Sequence, residues 1–187
     1  MKAAGNENQT AERNKENMSQ EKRIFTPARI ARISILSALS LLGTLWPFPS
    51  PVGTIGFDSM PGFTAAFLFG PIDGSMILLI GHLVTVSVHG PQLGIIHAPI
   101  ALGMGLTGWL AALARRRHSL LHAVAVSILA NTLLFPLAIP VIGWGGALSL
   151  VPYLFVASSL NVTVAAVVAK SAESALQIAE MENRQDF

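Results

Sequence analysis

The amino-acid sequence predicts an all-α membrane protein: a six-transmembrane-helix bundle with the N and C termini cytoplasmic. Of the 187 residues, 52% are hydrophobic and only 12% are charged, whereas about a quarter of the residues in soluble domains carry a charge. The charges are also segregated. In residues 33–114 the only charged side chains are Asp58 and Asp73, and residues 118–169 contain no charged side chain. Since a charged side chain at mid-bilayer costs roughly 3 kcal/mol, such stretches are typical of chains in lipid.

A polar stretch precedes the first apolar one. Residues 1–28 are expected to form a disordered cytoplasmic tail, because most of them are Asn, Glu, Gln, Lys and other polar residues that cannot bury enough surface to fold alone. The first apolar stretch, Ile30 to Trp46, has about 17 residues, close to the minimum for a span. A signal peptide is the alternative, but no small-residue cleavage site follows this stretch. We therefore expect an uncleaved helix.

The next apolar region, Pro61 to Val88, fits either one long helix or two short ones. The arginines at 29 and 32 and the run 115–117 should share the cytoplasmic side, which requires an even number of crossings between them. We therefore predict two short spans, at about 60–70 and 74–88, joined by a cytoplasmic turn that contains Asp73. The first of these is too short to face lipid, so we expect neighbouring helices to shelter it.

Three further spans complete the bundle, at about 93–113, 120–138 and 148–169. The six-helix domain then covers residues 29–170, and residues 171–187 form a cytoplasmic C-terminal tail. In this arrangement all 12 Lys and Arg residues lie on the cytoplasmic side of a multi-pass protein of the plasma membrane. Asp58 is the only charge expected near the outer face.

The sequence lacks the motifs of several functional classes. It contains no Gly-x-x-x-x-Gly-Lys-Ser/Thr loop for ATP, no His-Glu-x-x-His pair and no cysteine. Its basic residues cluster at the ends of apolar segments, without interleaved exposed aromatics, which argues against nucleic-acid binding. We therefore expect no enzymatic activity, no cofactor and no bound metal.

Four His and Asn side chains fall well inside the predicted spans, where an unpaired polar group is costly and therefore a candidate for function. They are predicted to converge on an outward-facing substrate pocket; a helix-to-helix hydrogen bond is the alternative for each of them. The four residues are His82, His97, Asn131 and Asn161.

Asp58 is the fifth candidate for substrate binding, because a carboxylate can accept hydrogen bonds from a ribose-like diol. The aromatic rings of Trp46 and Phe57 lie close to it in sequence and could stack on a flat heterocycle. Tyr153 is expected at the opposite outer loop and is added to the same site. The alternatives are a helix-capping role for Asp58 and interfacial anchoring for Trp46 and Tyr153.

Small residues recur on one face of the first helix, at Ala31, Ser34 and Ala38. Their spacing of three and four residues lets another helix approach closely. We interpret this face as a docking site for a partner subunit, with packing inside the bundle as the alternative.

Residues 29–170 resemble the substrate-binding S component of energy-coupling factor (ECF) importers. The resemblance lies in Asp58-Ser59-Met60-Pro61-Gly62-Phe63, Phe69-Gly70-Pro71, Gly81-His82-Leu83, Gly90-Pro91-Gln92-Leu93-Gly94, His97 and Ile100-Ala101-Leu102-Gly103-Met104. It implies a six-helix subunit that captures a vitamin from outside beneath its first outer loop. It also implies partners, namely a transmembrane coupling protein and two ATPase subunits, which would supply the energy that this chain cannot.

Within that family the central stretch is most similar to the S component proposed to import α-ribazole, a cobamide precursor. The family's first helix carries an Ala-x-x-x-Ala face, whereas this chain has Ser34 and Ala38. An anionic vitamin is disfavoured, because no Lys or Arg is predicted in the outer half to pair with it. The alternatives are another water-soluble vitamin, a metal ion or a membrane scaffold without a ligand. Related metal S components begin Met-His, whereas this chain begins Met-Lys.

Overall fold

A computed structural model of the protein describes residues 25–46 and 55–185. The predicted tail lies mostly outside this part, as does the proline-rich loop after Trp46. Across the described residues the chain forms six α-helices and two short 3-10 helices, without a β-strand, which confirms the all-α prediction. The α-helices are α1 (Pro27–Thr44), α2 (Met60–Leu68), α3 (Pro71–His89), α4 (His97–Arg117), α5 (Leu120–Thr132) and α6 (Ile139–Gln185).

Two helices begin where the sequence has a capping residue or a proline. Thr26 accepts a hydrogen bond from the backbone N–H of Arg29, and Pro27 occupies the first turn of α1, where its missing N–H costs nothing. Pro71 occupies the same position in α3. Asp73 therefore lies in the first turn of α3, and not in a separate turn before the helix.

The short helix α2 is the centre of the bundle. It contacts α1, α3, α4 and α6, and every residue from Pro61 to Phe67 is buried. Neighbouring helices thus shelter it, as expected from its length. Small residues permit the close crossings: a Cβ atom on Gly74 of α3 would lie 2.5 Å from Ala66 Cβ of α2, and one on Gly108 of α4 would lie 2.8 Å from Gly74.

Two helices differ in length from the prediction. The fifth helix ends at Thr132, because residues 135–138 form a 3-10 helix that contains Pro136. The sixth continues through Gln185, beyond the predicted boundary at residue 170, since no helix breaker follows Lys170. Near its start the helix is interrupted at Gly143, whose φ of 68° favours glycine.

Three stretches of the described chain are long and apolar enough to cross a membrane. They are Pro71–His89, Gly94–Arg117 and Leu120–Met181, the last of which contains α5 and most of α6. The number of six spans and the cytoplasmic position of both termini stay predictions.

Candidate ligand-binding site

A cavity opens at the end of the bundle that lies opposite the arginine run at the C-terminal end of α4. It encloses about 740 Å³ including the space at its mouth. The loop before α2 lines it together with α3, α4, α5 and α6 and the connection between α5 and α6. Its walls are mainly apolar, and its polar side chains are Asp58, Ser59, His82, His97, Asn131, Ser158 and Asn161.

Asp58 lies in the loop before α2, with 8% of its surface exposed. The hydroxyl group of Thr85 on α3 donates a hydrogen bond of 2.6 Å to Asp58 Oδ2. Burial raises the pKa of the Asp58 carboxyl group from 3.8 to about 6, although the Thr85 hydrogen bond acts to lower it. The group is thus held by α3 and by the backbone N–H groups of Asp58 and Ser59, which also donate to it.

His82 and His97 connect α3 with α4 across the cavity. The distance from His82 Nε2 to His97 Nδ1 is 3.2 Å. On its other side, His97 Nε2 accepts a hydrogen bond of 3.3 Å from the backbone N–H of Leu93. The two rings thus form one hydrogen-bonded chain with the loop between the helices.

Asn161 joins α6 to the loop that carries Asp58. Its Nδ2 donates to the carbonyl groups of Gly56 and Ala157, both at 2.9 Å. Its Oδ1, however, is buried and has no hydrogen-bond partner among the described residues, and the same is true of Ser158 Oγ one turn earlier. Both residues line the cavity. A buried polar atom without a partner costs about 1–3 kcal/mol, so a ligand group that reached either atom and bonded to it would remove this cost.

The cavity brings together five of the eight predicted substrate-binding residues: Asp58, His82, His97, Asn131 and Asn161. The other three do not line this cavity. Trp46 follows the end of α1 and is 75% exposed, and Tyr153 is on an outward face of α6 and is 40% exposed. Phe57 is adjacent to Asp58 but does not line the cavity.

Sequence reasoning missed Ser158, Ser59, Leu93 and Thr85. Ser158 could have been found, because a residue three positions before Asn161 shares its helix face. Thr85 is likewise three residues after His82. Leu93 offered no signal, since an apolar residue in a loop gives no indication that it will close a cavity.

The three small residues of α1 that were predicted to dock a partner face outward. Ala31, Ser34 and Ala38 are exposed, and Ile35 beside them is 67% exposed. Packing inside the bundle therefore does not explain them. Within the described ranges, no group of three or more His, Asp or Glu side chains could hold a metal ion.

Comparisons with known proteins agree with this arrangement. Residues 28–178 match the family model described as the substrate-specific component of ECF transporters. The chain belongs to this family. A stretch of 75 residues is 37% identical to the riboflavin transporter RibU of Staphylococcus aureus (strain TCH60). That stretch is 38% of this chain and spans only 36% of the relative's length. No solved structure matches the chain.

Membership of this family shows the general class of the protein. ECF substrate-specific components are integral membrane proteins of transport systems, and are not a class of enzymes. The predicted family is therefore confirmed. The narrower resemblance to the α-ribazole type stays a prediction, because neither match concerns α-ribazole.

Proposed function

We propose that this substrate-specific component captures an uncharged heteroaromatic compound that carries a sugar or polyol chain. The observation that carries the proposal is a pair of buried polar atoms without partners among the described residues, Asn161 Oδ1 and Ser158 Oγ, on two residues that line a mainly apolar cavity. Such a cavity suits a ligand with a flat apolar body and a few hydroxyl groups. Asp58 adds a carboxylate that accepts hydrogen bonds from a diol.

The charge of the cavity supports a neutral ligand. Asp58 is its one formal charge, and no Lys or Arg among the described residues lines it. A phosphate or carboxylate group on the ligand would lie near this carboxylate without a cation to pair with it. Pantothenate and biotin therefore rank below neutral vitamins.

The first candidate ligand is α-ribazole, a neutral aromatic base on a ribose. Riboflavin is the second, because part of the chain is similar to a riboflavin transporter. Both compounds combine a flat ring system with several hydroxyl groups. The site residues proposed for either ligand are Asp58, His82, His97, Asn131, Ser158 and Asn161.

Uptake also requires partners. Because the chain has no phosphate-binding loop of its own, we propose that a transmembrane coupling protein and two ATPase subunits drive transport in the plasma membrane. The exposed small-residue face of α1, formed by Ala31, Ser34 and Ala38, is proposed as the surface on which the coupling protein docks.

Thermal unfolding of the purified protein tests the ligand proposal. A ligand at a hundred times its Kd stabilises the folded state by about 2.7 kcal/mol. We expect α-ribazole or riboflavin to raise Tm, and pantothenate and biotin to leave it unchanged. A shift with anionic vitamins alone would contradict the proposal. A shift with cobalt or nickel salts alone would favour a metal carrier, and no shift with any compound would favour a scaffold.

Two adjacent serines provide a matched pair of variants. Ser158 lines the cavity, and its hydroxyl group has no partner among the described residues. Replacing it by Ala should therefore lower ligand affinity by about five- to tenfold. Ser159 bonds the carbonyl group of Phe155 on the exposed side of α6, and the S159A variant should bind as the wild type does. Equal affinities of the two variants would remove Ser158 from the site.

A further inference from the structure

The loop between α3 and α4 is anchored at the cavity by the buried side chain of Leu93. Leu93 is 6% exposed and packs against Ala138, Ala147 and Leu150 from the far side of the bundle. The turn around it depends on Gly90 and Gly94, whose φ angles of 85° and 65° favour glycine. The backbone N–H of Leu93 donates to His97 Nε2, which fixes the loop to the first turn of α4.

This hydrogen bond determines where His97 carries its proton. A backbone N–H can only donate, so His97 Nε2 must be the acceptor and carries no hydrogen. A doubly protonated ring would place two hydrogens against each other at this point. His97 is therefore neutral, and its one ring hydrogen is on Nδ1.

The contact with His97 also determines where His82 carries its ring hydrogen. Because His97 Nδ1 carries a hydrogen, it is the donor in the 3.2 Å contact, and His82 Nε2 is the acceptor. The one ring hydrogen of His82 is then on Nδ1. This is the tautomer that free imidazole side chains populate less in water, so the protein environment selects it.

We propose that His97 is a positioning residue that sets the specificity of the site by holding His82 in the Nδ1–H tautomer. Resting on the function proposed above, the inference adds a requirement on the ligand. With its Nε2 engaged, His82 can offer the cavity only a hydrogen-bond donor. The ligand must therefore present an acceptor, a carbonyl oxygen or an unprotonated ring nitrogen, to His82.

Nitrogen NMR of the ligand-free protein, labelled with ¹⁵N-histidine, tests the tautomer without any ligand. A scalar coupling across the N–H···N bond identifies the His82 and His97 rings, and the H118Q/H122Q variant removes two exposed histidines from the spectrum. We expect protonated Nδ1 and unprotonated Nε2 on both rings. A protonated Nε2 on His82 would overturn the inference, whatever the outcome of the ligand screen.

Two substitutions of His97 separate positioning from packing. The H97F variant removes the donor, so His82 should lose its Nδ1–H preference. In the H97N variant the side-chain amide nitrogen takes the place of Nδ1, and the wild-type tautomer of His82 should return. Should H97F fail to fold, H97L, which also lacks a donor, replaces it in the comparison with H97N. A His82 tautomer that H97F leaves unchanged would overturn the positioning role.

The requirement that the ligand presents an acceptor to His82 is tested separately, by NMR with the ligand bound. α-Ribazole and riboflavin are each added to the labelled protein at a concentration that raises Tm. The His82 Nδ1–H signal should move downfield while the nitrogen of Nε2 stays unprotonated. A stabilising compound that leaves this signal in place would overturn the acceptor requirement but not the capture function.

Discussion

Asp58 meets two requirements that oppose each other. Binding of a diol needs the ionised carboxylate, but burial favours the neutral acid and raises its pKa to about 6. The folded protein therefore holds this proton more tightly than the unfolded chain, in which the pKa is near 3.8. The resulting contribution to stability is fully present below about pH 4 and is lost as the pH rises through about 6.

We predict that thermal stability and ligand affinity change in opposite directions with pH. Between pH 7 and pH 5 the Tm of the ligand-free protein should rise. Affinity for the polyhydroxyl ligand should fall by up to about tenfold, since roughly one-tenth of the Asp58 carboxyl is ionised at pH 5.

Both quantities can be measured between pH 5 and pH 8 for the wild type and for D58N, whose amide does not titrate. Subtracting the D58N profile removes the contribution of other titrating groups. If D58N has the same pH profiles as the wild type, Asp58 is not the group responsible.

Residues of the candidate site could be predicted from sequence where a polar side chain lies in an apolar stretch, because such a side chain has a free-energy cost unless it is paired. His82, His97, Asn131 and Asn161 are polar groups in apolar stretches, and all four line the cavity. Trp46 and Tyr153 were included because of their positions along the chain. Position along the chain does not show the direction in which a side chain points. The tautomers of the histidine pair depend on the backbone of Leu93, a contact that no residue pattern reveals.

At the scale of elements, α1 and α3 are joined by a buried carboxylate. The Asp73 side chain is 1% exposed and lies 3.0 Å from Arg29 Nε and 3.3 Å from Arg32 Nη2. The Arg32 guanidinium also lies 4.7 Å from the centre of the Phe69 ring. Replacing the carboxylate removes hydrogen bonds to two arginine side chains that are themselves 20% and 36% exposed. A hydrogen bond to a charged group contributes about 1.5–3 kcal/mol.

We predict that D73N lowers the free energy of unfolding by about 2 kcal/mol, measured by thermal or denaturant unfolding in detergent. The matched control is E173Q, which breaks the more exposed pair between Arg115 and Glu173, where 37% of the Glu173 side chain is accessible. Its cost should stay within about 1 kcal/mol. Equal effects of the two variants would contradict a special role for Asp73.

The outward face of α1 gives a second prediction at this scale. Replacing Ala38 by Leu should reduce co-purification of the coupling protein and the ATPases at least tenfold, because a larger side chain keeps the two helices apart. Ligand binding by the isolated subunit should not change.

Leu39 provides the control, because it is 41% exposed but lies about 100° around the helix from Ala38. The L39F variant should assemble normally. Assembly that A38L leaves intact would show that the partner docks on another surface.

Element boundaries could be predicted where proline and glycine act locally, as at Pro71. They were missed where a boundary depends on packing. The region after Thr132 stays apolar, so hydropathy alone extends α5 over residues that form a 3-10 helix. Beyond Lys170 the sequence is charged, which marks the end of an apolar stretch but not the end of a helix.

For the whole molecule, the predicted topology can be tested directly, because the chain contains no cysteine. A cysteine at Ile95, which is 90% exposed in the loop after α3, should react with a membrane-impermeant maleimide on intact cells. Cysteines at His118 and Ser171 should react only after the membrane is opened. Labelling of all three positions, or of none, on intact cells would contradict six spans with cytoplasmic termini.

The length of α6 has a mechanical consequence. From Trp144 to Gln185 the helix measures about 60 Å at 1.5 Å per residue, roughly twice the hydrocarbon thickness of a bilayer. Ser158 and Asn161 lie in its first half, and Gln185 is about 36 Å further along. Treated as a stiff rod pivoting at Asn161, a tilt of about 10° moves the far end by about 6 Å. The helix is thus a lever arm that can turn a small adjustment around a captured molecule into a displacement large enough for another subunit to sense.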